Sequence, residues 1–454
     1  MNPAPVAPKR NINSAMVSSA DLVNLRKELS SVAVGNGDFP LLPPVAGFRL
    51  GTTSAGIKTP GRKDLVVMEC VGGGSVVGVF TRNAFCAAPV QVAKSRLGRL
   101  DSTGALKSSA GEKSGASSCY FVVNTGNANA GTGEQGIADA LAICTSVSEQ
   151  TGVAIEQVLP FSTGVIGEFL PVDKIIEALP AAISVMTEDA WQAAAEGILT
   201  TDTRPKGAFR KIEIDGVIVT VAGIAKGSGM IKPDMATMLA FVATDAKVAE
   251  DLLQQTLVEA VERSFNRITV DGDTSTNDSA MLVATGCSGL SITAGENELA
   301  LKTAVAEVCG ELAQAIVRDG EGATKFVSVN VRGGSSSQEC LDVAYTVAES
   351  PLVKTALFAA DPNWGRILAA IGRAGIDKLD VDKVRVWLGD VLIAECGGRA
   401  ESYTEAAGQL VMDREEISIG IDLGRDTRGT SFEETVWATD LSHDYIRINA
   451  EYRS

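Results

Sequence analysis

Short apolar runs alternate with longer helical patterns along most of the chain. Continuous apolar runs bounded by polar residues or glycine are typical of buried strands. They occur at 65–70, 76–80 and 120–124, and further strands are predicted at 238–245, 325–331, 384–388, 391–395 and 417–423. The segments 208–215 and 217–225 flank Asp215-Gly216, a favoured two-residue turn, and therefore predict a hairpin.

Apolar residues at helical spacing predict helices over 134–150, 172–184, 187–199, 247–264 and 296–318. Together, the elements predict an α/β fold with mixed sheets. We expect a layered α-β-β-α sandwich over 39–295 and a smaller C-terminal α/β domain over 296–454. Residues 1–38 are rich in Pro, Ala, Ser and Asn and predict a flexible extension, and the Ser/Gly-rich stretch 101–118 predicts a surface loop.

Composition and charge exclude several classes of protein. The 454 residues are 45% hydrophobic and 21% charged, which are values typical of globular proteins. The net charge of -16 makes nucleic acid a poor partner, because phosphate binding needs clustered positive charge. No apolar run is long enough to predict a membrane span.

The eight cysteines form no CxxC pair, so we expect reduced thiols and a cytoplasmic protein. The alternative is an organelle such as a plastid or mitochondrion. Lys9 and Arg10 lie in an N-terminal stretch that has no acidic residue before Asp21. Such a stretch could be a cleaved targeting peptide.

A single histidine, His443, restricts the chemistry. A metal site built from several histidines is excluded, and a Ser-His or Cys-His pair would have to use this residue. Its alternation with Tyr445 predicts a strand. We expect His443 to be structural or exposed and to have no catalytic role.

Candidate chemistry is concentrated in Lys226–Asp245, KGSGMIKPDMATMLAFVATD. Thr237 stands where a loop enters a predicted strand, and from the local sequence an ordinary strand threonine is the simpler interpretation. The functional interpretation is an autocatalytic cut between Ala236 and Thr237, which frees the α-amine of Thr237. An α-amine has a pKa of about 7.7–8.0 and can accept the hydroxyl proton near neutral pH. One residue would then supply both nucleophile and base.

This segment resembles the cleavage motif of the ornithine acetyltransferase family, the glutamate N-acetyltransferases of arginine biosynthesis. The resemblance runs from about Gly47 to Ser454. Its motifs are FTRNAFCAAPV (80–90), NTGNANAGTG (124–133), STGVIG (162–167), TTDTRPK (200–206), FNRITVDGDTSTNDS (265–279), DGEGATKF (319–326), DPNWGRI (361–367) and INAEYRS (448–454). It implies that Thr237 is the nucleophile and that Ala236-Thr237 is the cleavage site.

The resemblance also implies an oxyanion hole at Thr163 and Gly164. A tetrahedral oxyanion needs hydrogen-bond donors at short range, which a glycine N–H and a threonine hydroxyl can supply. The alternative is that this segment forms an ordinary turn before a helix and has no catalytic role. The NTG sequence at 124–126 is a rival with similar chemistry.

Substrate-binding positions of the family fall on Thr203, Lys226, Thr237, Glu321, Asn449 and Ser454. Lys226 can pair with an α-carboxylate and Glu321 with an ammonium group. If Asn449 and Ser454 line the site, the C-terminus must be tied down, whereas chain ends usually fray.

Asp271 and Asp273 belong to a segment dense in Thr, Ser, Asn and Asp. They could hold the new N-terminus of Thr237, or they could form a turn network that supports the core. Metal binding is a third interpretation. We assign them no catalytic role and expect no metal site.

The resemblance implies a ping-pong transfer of acetyl from N2-acetylornithine to glutamate, without a cofactor. Some family members also use acetyl-CoA, and the sequence leaves this open. Cleavage would give chains 1–236, with 21 basic and 21 acidic residues, and 237–454, with 19 and 35. From the family we expect an α2β2 assembly. The alternatives are an aminopeptidase or amidase with the same nucleophile, and an uncut protein that binds a small anion.

Overall fold

The structure is a computed structural model that describes residues 34–35, 37–72, 74–97, 118–232, 238–425 and 432–451. All but the last residue of the predicted loop over 101–118 and most of the predicted extension over 1–38 therefore lie outside the described residues. Within the described ranges, no helix combines the length and apolar character that crossing a membrane requires.

Sixteen strands form three sheets in the described residues. A four-stranded sheet has the order β1 (Phe48–Thr53), β2 (Leu65–Cys70), β4 (Cys119–Asn127), β5 (Val158–Val165). A five-stranded sheet has the order β3 (Ser75–Phe80), β10 (Ser279–Ala284), β8 (Leu239–Thr244), β7 (Val217–Lys226), β6 (Lys206–Ile214). A seven-stranded sheet has the order β14 (Gly398–Arg399), β13 (Val391–Glu395), β12 (Arg385–Leu388), β15 (Glu416–Asp422), β11 (Phe326–Gly334), β16 (Phe432–Thr439), β9 (Ile268–Thr269).

Eleven α-helices lie among the described residues. They are α1 (Ala88–Leu97), α2 (Gly133–Thr151), α3 (Val172–Ser184), α4 (Trp191–Gly197), α5 (Glu250–Glu262), α6 (Glu296–Arg318), α7 (Ser337–Ala348), α8 (Pro351–Phe358), α9 (Trp364–Gly372), α10 (Glu405–Met412) and α11 (His443–Ala450).

The four-stranded and five-stranded sheets pack face to face and form the centre of the sandwich. Phe121 and Phe161 from the first sheet meet Phe241 from the second, with ring centroids 5.2–5.9 Å apart. Helices α2 and α3 cover the outer face of the four-stranded sheet. Helices α5 and α6 cover the outer face of the five-stranded sheet. The predicted α/β class and its α-β-β-α layering are confirmed.

Strand β8 lies in the middle of the five-stranded sheet and is buried along its whole length. It pairs antiparallel with β7 on one side and parallel with β10 on the other. Phe241 points into the sandwich, and its neighbours Ala240 and Val242 pack under the outer helices. Burial on both faces explains why the segment reads as an unbroken apolar run rather than an alternating one.

The seven-stranded sheet has a hydrophobic core of its own, in which it packs against α7, α8 and α9. Helix α6, which the sequence places at the start of the C-terminal domain, shares a hydrophobic cluster with the five-stranded sheet instead. Strand β9 in turn pairs with β16 of the C-terminal sheet. The chain thus crosses between the two parts in both directions, and the boundary at residue 295 stays a prediction.

The prediction of a strand at His443 is wrong. His443 is the first residue of α11, and the side chain of Ser442 caps this helix by accepting a hydrogen bond from the Tyr445 amide at 3.2 Å. The cap satisfies an amide that has no partner within the helix. His443 is exposed and packs edge-to-face on Phe358.

Replacing Phe241 by alanine should lower the free energy of unfolding by about 3–5 kcal/mol, because the side chain is fully buried between two sheets. Denaturant unfolding followed by circular dichroism measures the change. The control is Phe169→Ala, whose side chain is 69% exposed and whose removal should cost less than about 0.5 kcal/mol. Equal losses in the two variants would contradict the packing described for Phe241.

Candidate active site

The candidate site lies where β7 ends and β8 begins. Lys226 is the last residue of β7 and stands opposite Leu239, the first residue of β8. Residues 233–237, which include Ala236 and Thr237, lie outside the described residues, as does Ser454. The structure therefore defines what surrounds the predicted cleavage site through Lys226, Met238 and their neighbours.

The two candidate oxyanion segments, 124–126 and 162–167, lie side by side, because β4 and β5 are parallel neighbours in the same sheet. Thr163 pairs with Thr125, and Gly164 pairs with Gly126. Gly164 has φ +136°, and a Cβ built on it would lie 2.3 Å from the carbonyl carbon of Gly126. Only glycine fits a backbone in this conformation at this separation.

Asn277 connects the oxyanion segment to the start of β8. Its side-chain amide donates to the carbonyl oxygen of Ser162 at 2.8 Å and to that of Ala128 at 2.6 Å. Two residues along the chain, the amide of Ser279 donates to the carbonyl oxygen of Met238 at 2.9 Å. The polar segment 265–279 therefore bridges Thr163 and Gly164 to the residue that follows Thr237.

Thr203 is held by a buried group of charges. Its amide donates to Asp319 at 3.1 Å, and its hydroxyl donates to the same carboxylate. The ammonium of Lys206 lies 2.6 Å from Asp319 and 2.6 Å from Asp202. Burial disfavours charge on Lys206, but the two carboxylates outweigh it and raise its pKa.

Asp202 also orients Lys226. One carboxylate oxygen accepts the amide of Gly227, the residue after Lys226, at 2.7 Å. Burial opposes ionisation of Asp202, but Lys206 and Lys226 together lower its pKa below the usual range. The half-buried Lys226 has a lowered pKa, because desolvation outweighs the attraction of Asp202 and Asp278.

Glu321 brings the C-terminal helix to the site. Its carboxylate accepts the side-chain amide of Asn449 at 2.7 Å, and burial raises its pKa. A Cβ on Gly229 would lie 2.4 Å from the Glu321 carboxyl carbon, so any larger residue there would have to displace this carboxylate. The amide of Glu321 donates to the carbonyl oxygen of Ser228 at 3.0 Å. Glu321 and Asn449 thus lie together beside the loop that follows Lys226.

Asp271 holds the chain upstream of the predicted cut. Its two oxygens accept the amides of Met230 and Ile231 at 2.6 and 2.8 Å, and the Tyr445 hydroxyl donates to it at 3.3 Å. The Asp273 amide donates to the same carboxylate at 3.2 Å. Among the described residues, these contacts make Asp271 part of a turn network that includes the loop after β7.

Sequence reasoning missed Asp202, Lys206 and Asp319 as members of the site. Each lies inside a quoted motif, TTDTRPK or DGEGATKF. Lys206 pairs with Asp202 within its own motif, but its second partner, Asp319, is 113 positions away in the chain. The one sequence feature that pointed to these residues was the presence of charged side chains in two motifs made mostly of small and polar residues. Burial of the pairs becomes visible only in the structure.

The model of the ArgJ family matches residues 49–454. The chain belongs to the ArgJ family. The arginine biosynthesis bifunctional protein ArgJ of Pseudomonas fluorescens is 59% identical over 93% of this chain and 100% of its own length. The protein of the same name from Pseudomonas syringae pv. tomato is 58% identical over the same shares.

A solved structure, the arginine biosynthesis bifunctional protein ArgJ of Bacillus halodurans, is 36% identical to this chain. Its TM-score is 0.44, and the match covers 47% of this chain and 99% of that one. Membership of the ArgJ family makes this chain an acetyltransferase of arginine biosynthesis. The predicted family and enzyme class are therefore confirmed.

Replacing Gly164 by alanine should lower acetyl transfer about 10²–10³-fold, the cost of losing one oxyanion donor, because the added Cβ forces β5 away from Gly126. The rate of transfer from N-acetylornithine to glutamate measures the loss. Gly167→Ala is the matched control, since its φ is +84° but nothing lies within 4 Å of the added Cβ. Activity of Gly164→Ala equal to that of Gly167→Ala would contradict the proposed oxyanion hole.

Proposed function

We propose that the chain transfers the acetyl group of N2-acetyl-L-ornithine to L-glutamate through an acetyl ester on Thr237. The observation that carries the proposal is the convergence around the start of β8. Lys226 flanks it from β7, and Asn277 links it to the segment of Thr163 and Gly164. Glu321 adds a carboxylate beside the loop that follows Lys226.

Thr237 becomes an N-terminal residue by self-cleavage. Its hydroxyl oxygen attacks the carbonyl carbon of Ala236, the peptide nitrogen leaves as the α-amine of Thr237, and an ester joins the two residues. Water then hydrolyses the ester, which leaves a carboxylate on Ala236 and a free hydroxyl and amine on Thr237.

Transfer proceeds in two half-reactions. The α-amine of Thr237 accepts the hydroxyl proton as the oxygen attacks the acetyl carbonyl, and it returns the proton to the departing α-nitrogen of ornithine. The α-amino nitrogen of glutamate then attacks the acetyl ester, and the hydroxyl of Thr237 regains its proton as N-acetylglutamate leaves. Thr163 and Gly164 stabilise the oxyanion in both half-reactions.

The two substrates share an amino-acid head, and the site offers complementary charges. Lys226 pairs with the α-carboxylate, and Glu321 pairs with the ammonium group of ornithine. Thr203, Asn449 and Ser454 bind the remaining polar atoms. The contacts of Glu321 with Asn449 and of Asp202 with the loop after Lys226 support this assignment. No step uses a cofactor or a metal.

The two fragments stay together after the cut, because β8 remains paired with β7 of the other fragment. We infer an α2β2 assembly from the family and place the enzyme in the cytoplasm, which the eight unpaired thiols support. We also propose acetyl-CoA as a second acetyl donor, since the relatives bear the name bifunctional protein.

Thr237→Ala should leave an uncut chain without acetyl transfer, because neither the attacking oxygen nor the freed amine forms. Denaturing electrophoresis and intact mass show the state of the chain, and an acetylornithine–glutamate assay shows activity. Thr237→Ser keeps the hydroxyl and should still be cut. An uncut Thr237→Ala protein that transfers acetyl at the wild-type rate would refute the proposal, and release of acetate to water by the wild-type enzyme would favour an amidase.

The alkaline limb of kcat/KM for acetylornithine should lie below the pH at which an ordinary lysine titrates, because the pKa of Lys226 is lowered. Only the protonated side chain binds the α-carboxylate, so activity falls as pH rises through this pKa. In Lys226→Arg the cation persists to higher pH, and the limb should move upward. If the alkaline limb of kcat/KM does not move in Lys226→Arg, it reports the titration of a group other than Lys226.

A further inference from the structure

Lys206 lies at the centre of a buried charge cluster that the proposed reaction does not use directly. The side chain of Lys206 is 1% exposed, and those of Asp202 and Asp319 are 0% exposed. Its ammonium lies 2.6 Å from each carboxylate and 3.2 Å from the carbonyl oxygen of Arg204. Removing one partner of such a group leaves an uncompensated buried charge.

Each carboxylate of the cluster also holds a residue of the substrate site. Asp202 fixes the amide of Gly227, directly after Lys226. Asp319 fixes both the amide and the hydroxyl of Thr203. Because an ionised carboxylate only accepts hydrogen bonds, the hydroxyl proton of Thr203 points toward Asp319.

We propose that Lys206 is a positioning residue that prepares Thr203 and Lys226 to bind the amino-acid part of both substrates. The inference rests on the proposed function. With its proton committed to Asp319, Thr203 presents only oxygen lone pairs to the site. It therefore accepts an N–H, which the ammonium group of ornithine, the acetamido group or the amine of glutamate supplies.

Charge balance gives Lys206 its second effect. Lys206 forms an ion pair with both Asp202 and Asp319 and offsets part of their negative charge. Without Lys206 the cluster has an excess negative charge beside Lys226, and this charge opposes binding of an α-carboxylate. Among the hydrogen bonds of the described residues, none joins Lys206, Asp202 or Asp319 to Thr163 or Gly164, so we expect substrate binding to suffer more than the chemical step.

The matched test compares Lys206→Met with Arg210→Met in the full, processed enzyme. Arg210 lies on the same strand, β6, and pairs with Glu307 and Glu311 of α6, so it too joins fragment 1–236 to fragment 237–454. Unlike Lys206, it is partly exposed, and none of its hydrogen bonds reaches Asp202 or Asp319, the two carboxylates that hold Thr203 and the Gly227 amide.

In Lys206→Met, we expect KM for acetylornithine and for glutamate to rise about 10–100-fold, the scale of a misplaced binding group, with kcat within about threefold of wild type. Arg210→Met should keep both constants within about twofold. A fall in kcat with unchanged KM, or equal behaviour of the two variants, overturns the positioning role. A wild-type enzyme without acetyl transfer refutes the proposed function instead.

The double variant Asp202→Asn/Lys206→Met is the second test, in case Lys206→Met fails to fold. It removes one charge of each sign and therefore adds no unpaired buried charge. The asparagine oxygen still accepts the Gly227 amide, so KM should lie between the wild-type value and that of Lys206→Met. If Lys206→Met does not fold, a raised KM with near-normal kcat in the double variant supports the proposal. A wild-type KM in the double variant overturns it.

Discussion

Strand β8 is hydrogen-bonded on both sides, and this constraint organises the rest of the site. Its partner β7 precedes the proposed cut in sequence, and its partner β10 follows it. A chain end created at the start of β8 therefore stays anchored in the middle of a sheet. Frayed termini make poor catalysts, because a nucleophile has to be held within a fraction of an ångström of its working position.

The charged groups around this strand work as a set rather than singly. Burial makes each charge costly, and Asp202, Asp319 and Glu321 are each paired with an opposite charge or a hydrogen-bond donor. Lys206 links Asp202 to Asp319, and Glu321 meets Asn449, so residues from both sides of the cut meet in one network. The lack of a side chain at Gly229 leaves room for the Glu321 carboxylate beside the loop that follows Lys226.

The sequence predicts the elements whose burial pattern is simple. Helices 172–184 and 296–318 have the predicted bounds, because an amphipathic helix repeats its apolar face over several turns. The predicted strand at His443 is wrong because alternation over a few residues does not distinguish a strand from a helix, and the Ser442 cap favours the helix. The site residues came from resemblance. Their grouping depends on contacts across more than a hundred residues, such as Lys206 with Asp319, which no local pattern contains.

The most direct test of the account is to trap the acetyl group on the enzyme. The purified protein is mixed with N-acetylornithine without glutamate, quenched in acid, and its chains are weighed and sequenced by mass spectrometry. We expect a fragment that begins with Thr237 and carries one acetyl group on the side-chain oxygen, which glutamate removes. An uncut chain, or an acetyl group on any other residue, would contradict it.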